Sequence, residues 1–287
     1  MPRPPVQTIA DELYFTTVLI EAANDAGSWT GTGFLLTYPT GQQVIPVLVT
    51  NRHVLRSASR ATFTLTKTDG SQPLRAGTRL TIHDFSEANW VGHPDPNVDV
   101  AVMFFNPVLE QLAALGAPAF YRTFTPNLLL TQQSALELDS IEQVTFVGYP
   151  NGLFDQDSMS PIARRGHTAT PIFNDYNGAP AFLIDASVFP GSSGSPVVLF
   201  DRGTYTLRNG TTHVGSRILL LGVVAAVHTR RVNGVIEMVR NARASFDDVL
   251  NLGIVFKSSA IQECVDAAFA LGGIVLAPSV PSPDSLA

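Results

Sequence analysis

The sequence predicts an all-β protein: two six-stranded antiparallel β-barrels followed by a single α-helix. Three observations carry this expectation. Short runs rich in β-branched and aromatic residues recur along the chain, each closed by Gly, Pro, Asn or Asp, and such runs read as short strands. They fall into two sets, within residues 13–105 and 143–240, with a differently patterned stretch between them. Past residue 240, the stretch 259–269 spaces its apolar residues as a helix does. No regular alternation of strand and helix runs through the chain, which argues against a parallel α/β sheet.

Residues 1–10 are Pro-rich and read as a flexible leader. The first set of strands is expected at 13–20, 29–36, 44–50, 60–67, 77–83 and 98–105. Turns are marked by 24–28, by Pro39-Thr40-Gly41 and by Asp69-Gly70. Residues 106–141 form the connection, longer than a plain linker needs, with helical spacing at 107–115. The second set is expected at 143–150, 162–170, 181–186, 197–200, 218–227 and 234–240. Residues 202–215 read as an exposed hairpin loop, and Val232-Asn233-Gly234 as the turn between the last two strands. In the final helix Ile261, Cys264, Val265, Ala268 and Phe269 share one face, with Ser259 and Gln262 spaced as a capping box. Cys264 on that face reads as a small buried hydrophobe. Residues 277–287 read as a disordered tail.

Composition narrows the partners. With 287 residues the chain can bury a substantial core. A formal charge of −6, with basic residues only paired at Arg164-Arg165 and Arg230-Arg231, argues against a nucleic-acid binder. One cysteine precludes an intrachain disulfide. No apolar signal core or membrane-spanning run is visible, so the expectation is a cytoplasmic, prokaryotic protein with no membrane partner.

The chemistry gathers on Phe189-Pro190-Gly191-Ser192-Ser193-Gly194-Ser195-Pro196-Val197. A serine hydroxyl attacks only when a base takes its proton and donors face the resulting oxyanion. A tight Gly-x-Ser turn can aim the N–H groups of Gly191 and Ser193 into one small space. Serine–glycine clusters are more often plain turns, so the rest of the chain must supply the base and the acid. His53 follows the strand-like Val47-Leu48-Val49-Thr50, and Asp99 stands in Asn97-Val98-Asp99-Val100-Ala101-Val102. The order His, Asp, Ser is one of the known orders for a Ser-His-Asp triad. Gly31-Thr32-Gly33 has no helix start after it and does not read as a phosphate loop. Asp95, Asn97 and Asp99 have the spacing of a calcium loop, but Val100 and Asn106 stand where Gly and Glu are needed. No metal or cofactor is expected. His213 and His228 read as surface residues.

On these motifs the chain resembles the chymotrypsin-like (trypsin-fold) serine proteases. It is most similar to the bacterial trypsin-like branch that includes the high-temperature-requirement proteases. The matching pieces are Gly31-Thr32-Gly33-Phe34, Val49-Thr50-Asn51-Arg52-His53-Val54, Val98-Asp99-Val100-Ala101-Val102 and Ile184-Asp185-Ala186-Ser187 leading into Pro190-Gly191-Ser192-Ser193-Gly194. The resemblance implies an active site in the cleft between the barrels, His53 and Asp99 on one side and Ser193 on the other. It implies a protein or peptide substrate, and Ser187, six residues before the nucleophile, at the base of the primary pocket. Val224, Ala225 and Ala226 are expected as its walls. Ser192 stands where digestive relatives carry an aspartate that pairs with a new N-terminus. Ser195, where a glycine is common, is expected on the solvent side of the turn. No peptide-binding module is expected after residue 256. Partner-gated regulation is compatible with these features. Two other functions stay open: a catalytically silent binding module, and an acyl or ester hydrolase using the same triad.

Overall fold

The computed structural model describes residues 5–41, 43–235 and 243–275, with side chains described throughout those ranges except over 226–250. The chain opens with α1 (Ile9–Leu13), where the Thr8 side chain accepts from the Asp11 N–H and the Asp11 carboxylate accepts from Thr8. That reciprocal cap satisfies two N–H groups and fixes a helical turn. The first strand therefore begins at Thr17 rather than at Leu13, and α1 takes in residues 9 and 10 of the stretch expected as a leader. β1 (Thr17–Asn24), β2 (Gly27–Thr40), β3 (Gln43–Thr50), α2 (Arg52–Leu55), β4 (Arg60–Thr68), β5 (Pro73–His83), β6 (Val91–Gly92) and β7 (Ala101–Phe104) follow.

These strands form one sheet in the order β5-β4-β1-β2-β3-β7-β6, and β8 (Ala119–Phe120) joins β4 off that path. The first half thus holds eight strands rather than six, in a barrel-like sheet consistent with the expected double-barrel plan. The extra strands, β6 and β8, have two residues each, too few for a period to register in sequence. Between them α3 (Asn106–Ala114) occupies the stretch with helical spacing. The connection then carries α4 (Gln132–Ala135), whose N-cap is Thr131.

The second half closes as expected. β9 (Gln143–Gly148), β10 (Ile162–Thr168), β11 (Ala181–Asp185), β12 (Pro196–Asp201), β15 (Arg217–Val235) and β16 (Arg243–Lys257) form a closed six-stranded barrel. β13 (Thr204–Thr206) and β14 (Thr212–Val214) make the exposed hairpin expected at 202–215. Val232, Asn233 and Gly234 lie within β15, paired with Phe246, Ser245 and Ala244, so they are not a turn. The rest of the strand expected at 234–240 lies outside the described residues beyond Val235.

α5 (Ser258–Leu271) ends the described chain. Its N-cap is Lys257, without a side-chain cap bond. The expected box of Ser259 and Gln262 does not form, because Gln262 donates to Asp266 and accepts from Tyr38. The expected apolar face does bury: Ile261, Cys264, Val265, Ala268 and Phe269 join one cluster with Phe34, Val47 and Val49 of the first half and Leu220 and Val223 of the second. The helix therefore seals the seam between the halves. Alternate residues of β2 and β3 face two cores, Phe34 and Val49 the seam and Leu35 and Leu48 the interior of the first half. Burial on both faces explains why these strands read as continuous apolar runs.

Candidate active site

His53 sits in α2, directly after β3, and Asp99 in the loop entering β7. The two β strands pair, Thr50 opposite Ala101, so their ends bring histidine and aspartate together. Asp99 Oδ2 lies 2.5 Å from His53 Nδ1, and Asp99 Oδ1 accepts the His53 backbone N–H at 3.0 Å. One carboxylate thus holds both the ring and the main chain of the histidine. With a proton on Nδ1, the lone pair of Nε2 is left free to act as a base. The histidine side chain is about half exposed (49%) and open to a substrate.

Two neighbours of His53 that no sequence pattern marks as site residues, Asn51 and Arg52, brace this pair. Fully buried Asn51 donates through Nδ2 to the Asp99 carbonyl at 2.6 Å. Arg52 donates through Nη2 to the His93 carbonyl and through Nη1 to that of Pro96 at 3.4 Å. His93 is itself buried, accepting from Asp95 N–H and bonded through Nε2 to Glu263 of α5. Of the supposed calcium ligands, Asp95 accepts from the Asn97 N–H and amide, while Asp99 faces His53.

The serine turn is locked onto the first half. The Thr32 N–H donates to the Ser193 carbonyl at 2.8 Å, and its hydroxyl donates to Gly191 O at 2.8 Å. Thr50 Oγ1 donates to Thr32 O at 2.7 Å, and His53 follows three residues later. Gly194, at φ +88°, has no room for a side chain: a Cβ there would stand 1.7 Å from Thr32 O. Gly191, at φ +84°, is equally confined, by Tyr149 O at 2.5 Å. The turn is closed by the Ser192 N–H donating to Phe189 O at 3.0 Å. Arg164 stacks over the Phe189 ring at 4.8 Å, and burial lowers its pKa.

The orientation of the Pro190–Gly191 peptide is set from outside the turn. Asn151 N–H donates to Pro190 O at 2.5 Å, and in a trans peptide the N–H points opposite to the C=O. The Gly191 N–H therefore points away from Asn151. Among the described residues, neither it nor the Ser193 N–H has an acceptor. Two free donors in a turn whose N–H groups at Ser192, Gly194 and Ser195 are all bonded can receive an anion.

The Ser193 hydroxyl donates to Ala225 O at 3.1 Å, and no hydrogen bond joins it to His53. Ser187 is half-buried. Val224 is fully buried in the interior cluster of the barrel with Leu221 and Val255, and Ala225 is 3% exposed. The side chain of Ala226 lies outside those described. Ser195 corrects its expectation. It is fully buried, its hydroxyl has no partner, and it lies over Gly148, where a Cβ would stand 2.0 Å from Ser195 Oγ.

No cluster of metal-ligating side chains occurs among the described residues, and no helix among them is long and apolar enough to cross a membrane. No curated protein matches the chain. Among solved structures it is similar to the HtrA-type protease AlgW with a tripeptide, at TM-score 0.51 and 14% identity over 95% of this chain. The chain spans 65% of the length of that AlgW chain. It is also similar to a serine endoprotease from Yersinia pestis, at TM-score 0.47 and 13% identity over 95% of this chain and 69% of that one. A thermostable serine protease, AL20, from an extremophilic microorganism gives TM-score 0.45 and 16% identity over 88% and 97% of the two chains. At these identities the likeness is one of fold. The model of the trypsin-like peptidase domain matches residues 31–205, a stretch that contains His53, Asp99 and Ser193. That match covers well over half of the sequence, and the chain belongs to the trypsin-like peptidase family.

Proposed function

We propose that the protein is a serine endopeptidase that cleaves peptide bonds through an acyl-enzyme. Ser193 Oγ attacks the scissile carbonyl carbon while its proton passes to His53 Nε2. Asp99 keeps the imidazole in the tautomer that accepts it and stabilises the imidazolium. The tetrahedral oxyanion faces the N–H groups of Gly191 and Ser193, each donor worth about 3–4 kcal/mol in a well-studied protease. His53 then protonates the leaving amine, and water hydrolyses the ester by the reverse sequence. The observation that carries this reading is the carboxylate of Asp99 bonded to two of the three His53 nitrogens, Nδ1 and the backbone N.

The bond from Ser193 to Ala225 O must break before attack. A neutral hydrogen bond contributes about 0.5–1.5 kcal/mol net, so rotation of the hydroxyl toward His53 costs roughly tenfold at most and does not silence the site. This weighs against a purely binding module. The absence of a βαβ nucleophile elbow weighs against an α/β-type esterase. The substrate residue before the scissile bond is small or medium and uncharged, since Ser187 offers no charge at the base of the pocket. Place of action is the cytoplasm of a bacterium, in keeping with one buried thiol and no disulfide.

The test is labelling by a fluorophosphonate probe alongside turnover of a peptide library. Wild type is expected to label and to cleave after small uncharged residues, and Ser193→Ala to do neither while melting at the same temperature. Peptide cleavage by Ser193→Ala at the wild-type rate would refute the reading, and a library dominated by Lys or Arg would overturn the specificity.

A further inference from the structure

Beside Arg52, the residue before His53, two cavities adjoin. One, of about 650 Å³, is lined by Arg52, Arg56, Trp90 and Gly92 among others. The other, of about 210 Å³, is lined chiefly by apolar residues, including Val47, Phe104 and Ala268. Ala88, Trp90, Val91 and Leu271 belong to both walls, so the two are compartments of one groove between the first half and the end of α5.

The basic compartment has hydrogen-bond donors without acceptors. Arg52 Nε and Trp90 Nε1 are buried and have no partner. Arg56 is exposed and has neither a hydrogen-bond nor an ion-pair partner for its side chain among the described residues. Arg52 is bonded to main-chain carbonyls only, so no carboxylate neutralises it. Its guanidinium lies flat over Gly92, where a Cβ would stand 2.7 Å from Nε, and any larger residue would push it out of the groove. Glu87 is the one carboxylate on the wall, leaving an excess of positive charge from two arginines. The buried donors each carry a desolvation cost that an acceptor would relieve. The second compartment supplies the opposite chemistry, and Leu271 at its edge is 77% exposed, an apolar side chain left uncovered by the described residues.

We propose that this groove binds a small amphipathic anion, a carboxylate on an aliphatic tail. The carboxylate pairs with the exposed Arg56 and draws the buried donors Arg52 Nε and Trp90 Nε1 toward it, and the tail lies along Val91, Phe104 and Leu271. Bidentate pairing with a guanidinium suits a carboxylate, and each buried methylene contributes about 0.8 kcal/mol. Arg52 immediately precedes His53 and holds the His93 and Pro96 carbonyls of the loop that leads to Asp99. Occupation of the groove fixes that guanidinium and so steadies the histidine–aspartate pair. This coupling rests on the proposed catalysis; the binding does not.

The test is isothermal titration of the full chain with decanoate, below its micelle-forming concentration, with decanol as the uncharged control. Decanoate is expected to bind at least tenfold more tightly than decanol. Arg56→Glu, with unchanged circular dichroism, is expected to lose at least tenfold in decanoate affinity, and Trp90→Phe severalfold. Equal binding of decanoate and decanol, no binding of either, or an unchanged affinity in Arg56→Glu would overturn the site. Separately, saturating decanoate is expected to raise kcat on a peptide substrate with little change in KM. Binding without any change in kcat, in an enzyme that does turn over, would overturn the coupling alone.

Discussion

Asp99 uses one oxygen to orient the His53 ring and the other to pin its main chain. Asp99→Asn replaces an acceptor pair by an amide that can stabilise the wrong tautomer, and turnover is expected to fall by about four orders of magnitude, measured as kcat on a peptide substrate. Asn51→Ala removes the bond to the Asp99 carbonyl and is expected to lower kcat more than it raises KM, because the substrate does not touch it. Ser195 gives a test of stability. Its hydroxyl is buried and unpartnered, a state that costs about 1–3 kcal/mol, so Ser195→Ala is expected to raise the melting temperature. Gly148→Ala is expected to lower it, since the new Cβ would meet Ser195 Oγ at 2.0 Å. Combining Gly148→Ala with Ser195→Gly should recover part of the loss in thermal melts, the part that remains coming from Thr32 Oγ1, 2.8 Å from the new Cβ. A double variant no more stable than Gly148→Ala alone would refute the contact between positions 148 and 195.

At the scale of elements, the oxyanion turn depends on a residue outside it. Asn151 occupies the left-handed region at φ 51°, and from there its N–H holds Pro190 O. Asparagine and glycine tolerate that conformation, whereas β-branched residues do not. Asn151→Gly is therefore expected to keep wild-type kcat. Asn151→Val is expected to lose about tenfold or more, with fluorophosphonate labelling slowed in parallel; equal rates in the two variants would refute the link. The barrel strands were legible in sequence as runs of buried β-branched residues, and the proposed triad residues were singled out because each stands close to such a run. What was not legible has physical causes. The cap of α1 needs Thr8 and Asp11 to meet in space, and the aromatic Tyr14-Phe15 beside it mimics a strand. β15 runs on through Asn233-Gly234 because β16 supplies a partner for it, and a strand ends where pairing ends. Ser259 and Gln262 have the spacing of a cap, yet Tyr38 and Asp266 outcompete the helix start for Gln262. The burial of Ser195 followed from Gly148, 47 positions earlier in the chain, and no local pattern connects them.

At the scale of the molecule, the chain entry packs on the first half: the Val6 N–H donates to Gln72 Oε1, and Leu13 is buried in the seam cluster. The serine turn is held by bonds of the folded chain itself, from Ser192 within the turn and from Thr32 and Asn151 outside it. A cut N-terminus therefore has no charged partner to find at Ser192. Removal of residues 1–6, which leaves α1 and its cap, is expected to leave peptide turnover within twofold of full length. A large gain on trimming would show activation by N-terminal insertion. The seam that joins the halves also contains the only thiol in the sequence, Cys264, fully buried and with its pKa pushed up to about 12 by burial. Only the thiolate reacts with an alkylating reagent, so Cys264 is silent while the seam is shut. Each reaction event then requires an excursion in which α5 lifts away. In the regime where reclosing outruns chemistry, the labelling rate is the intrinsic rate multiplied by the fraction of time spent open. The protein carries its own clock for the opening of its halves, and a bound substrate that clamps them should make it run slow.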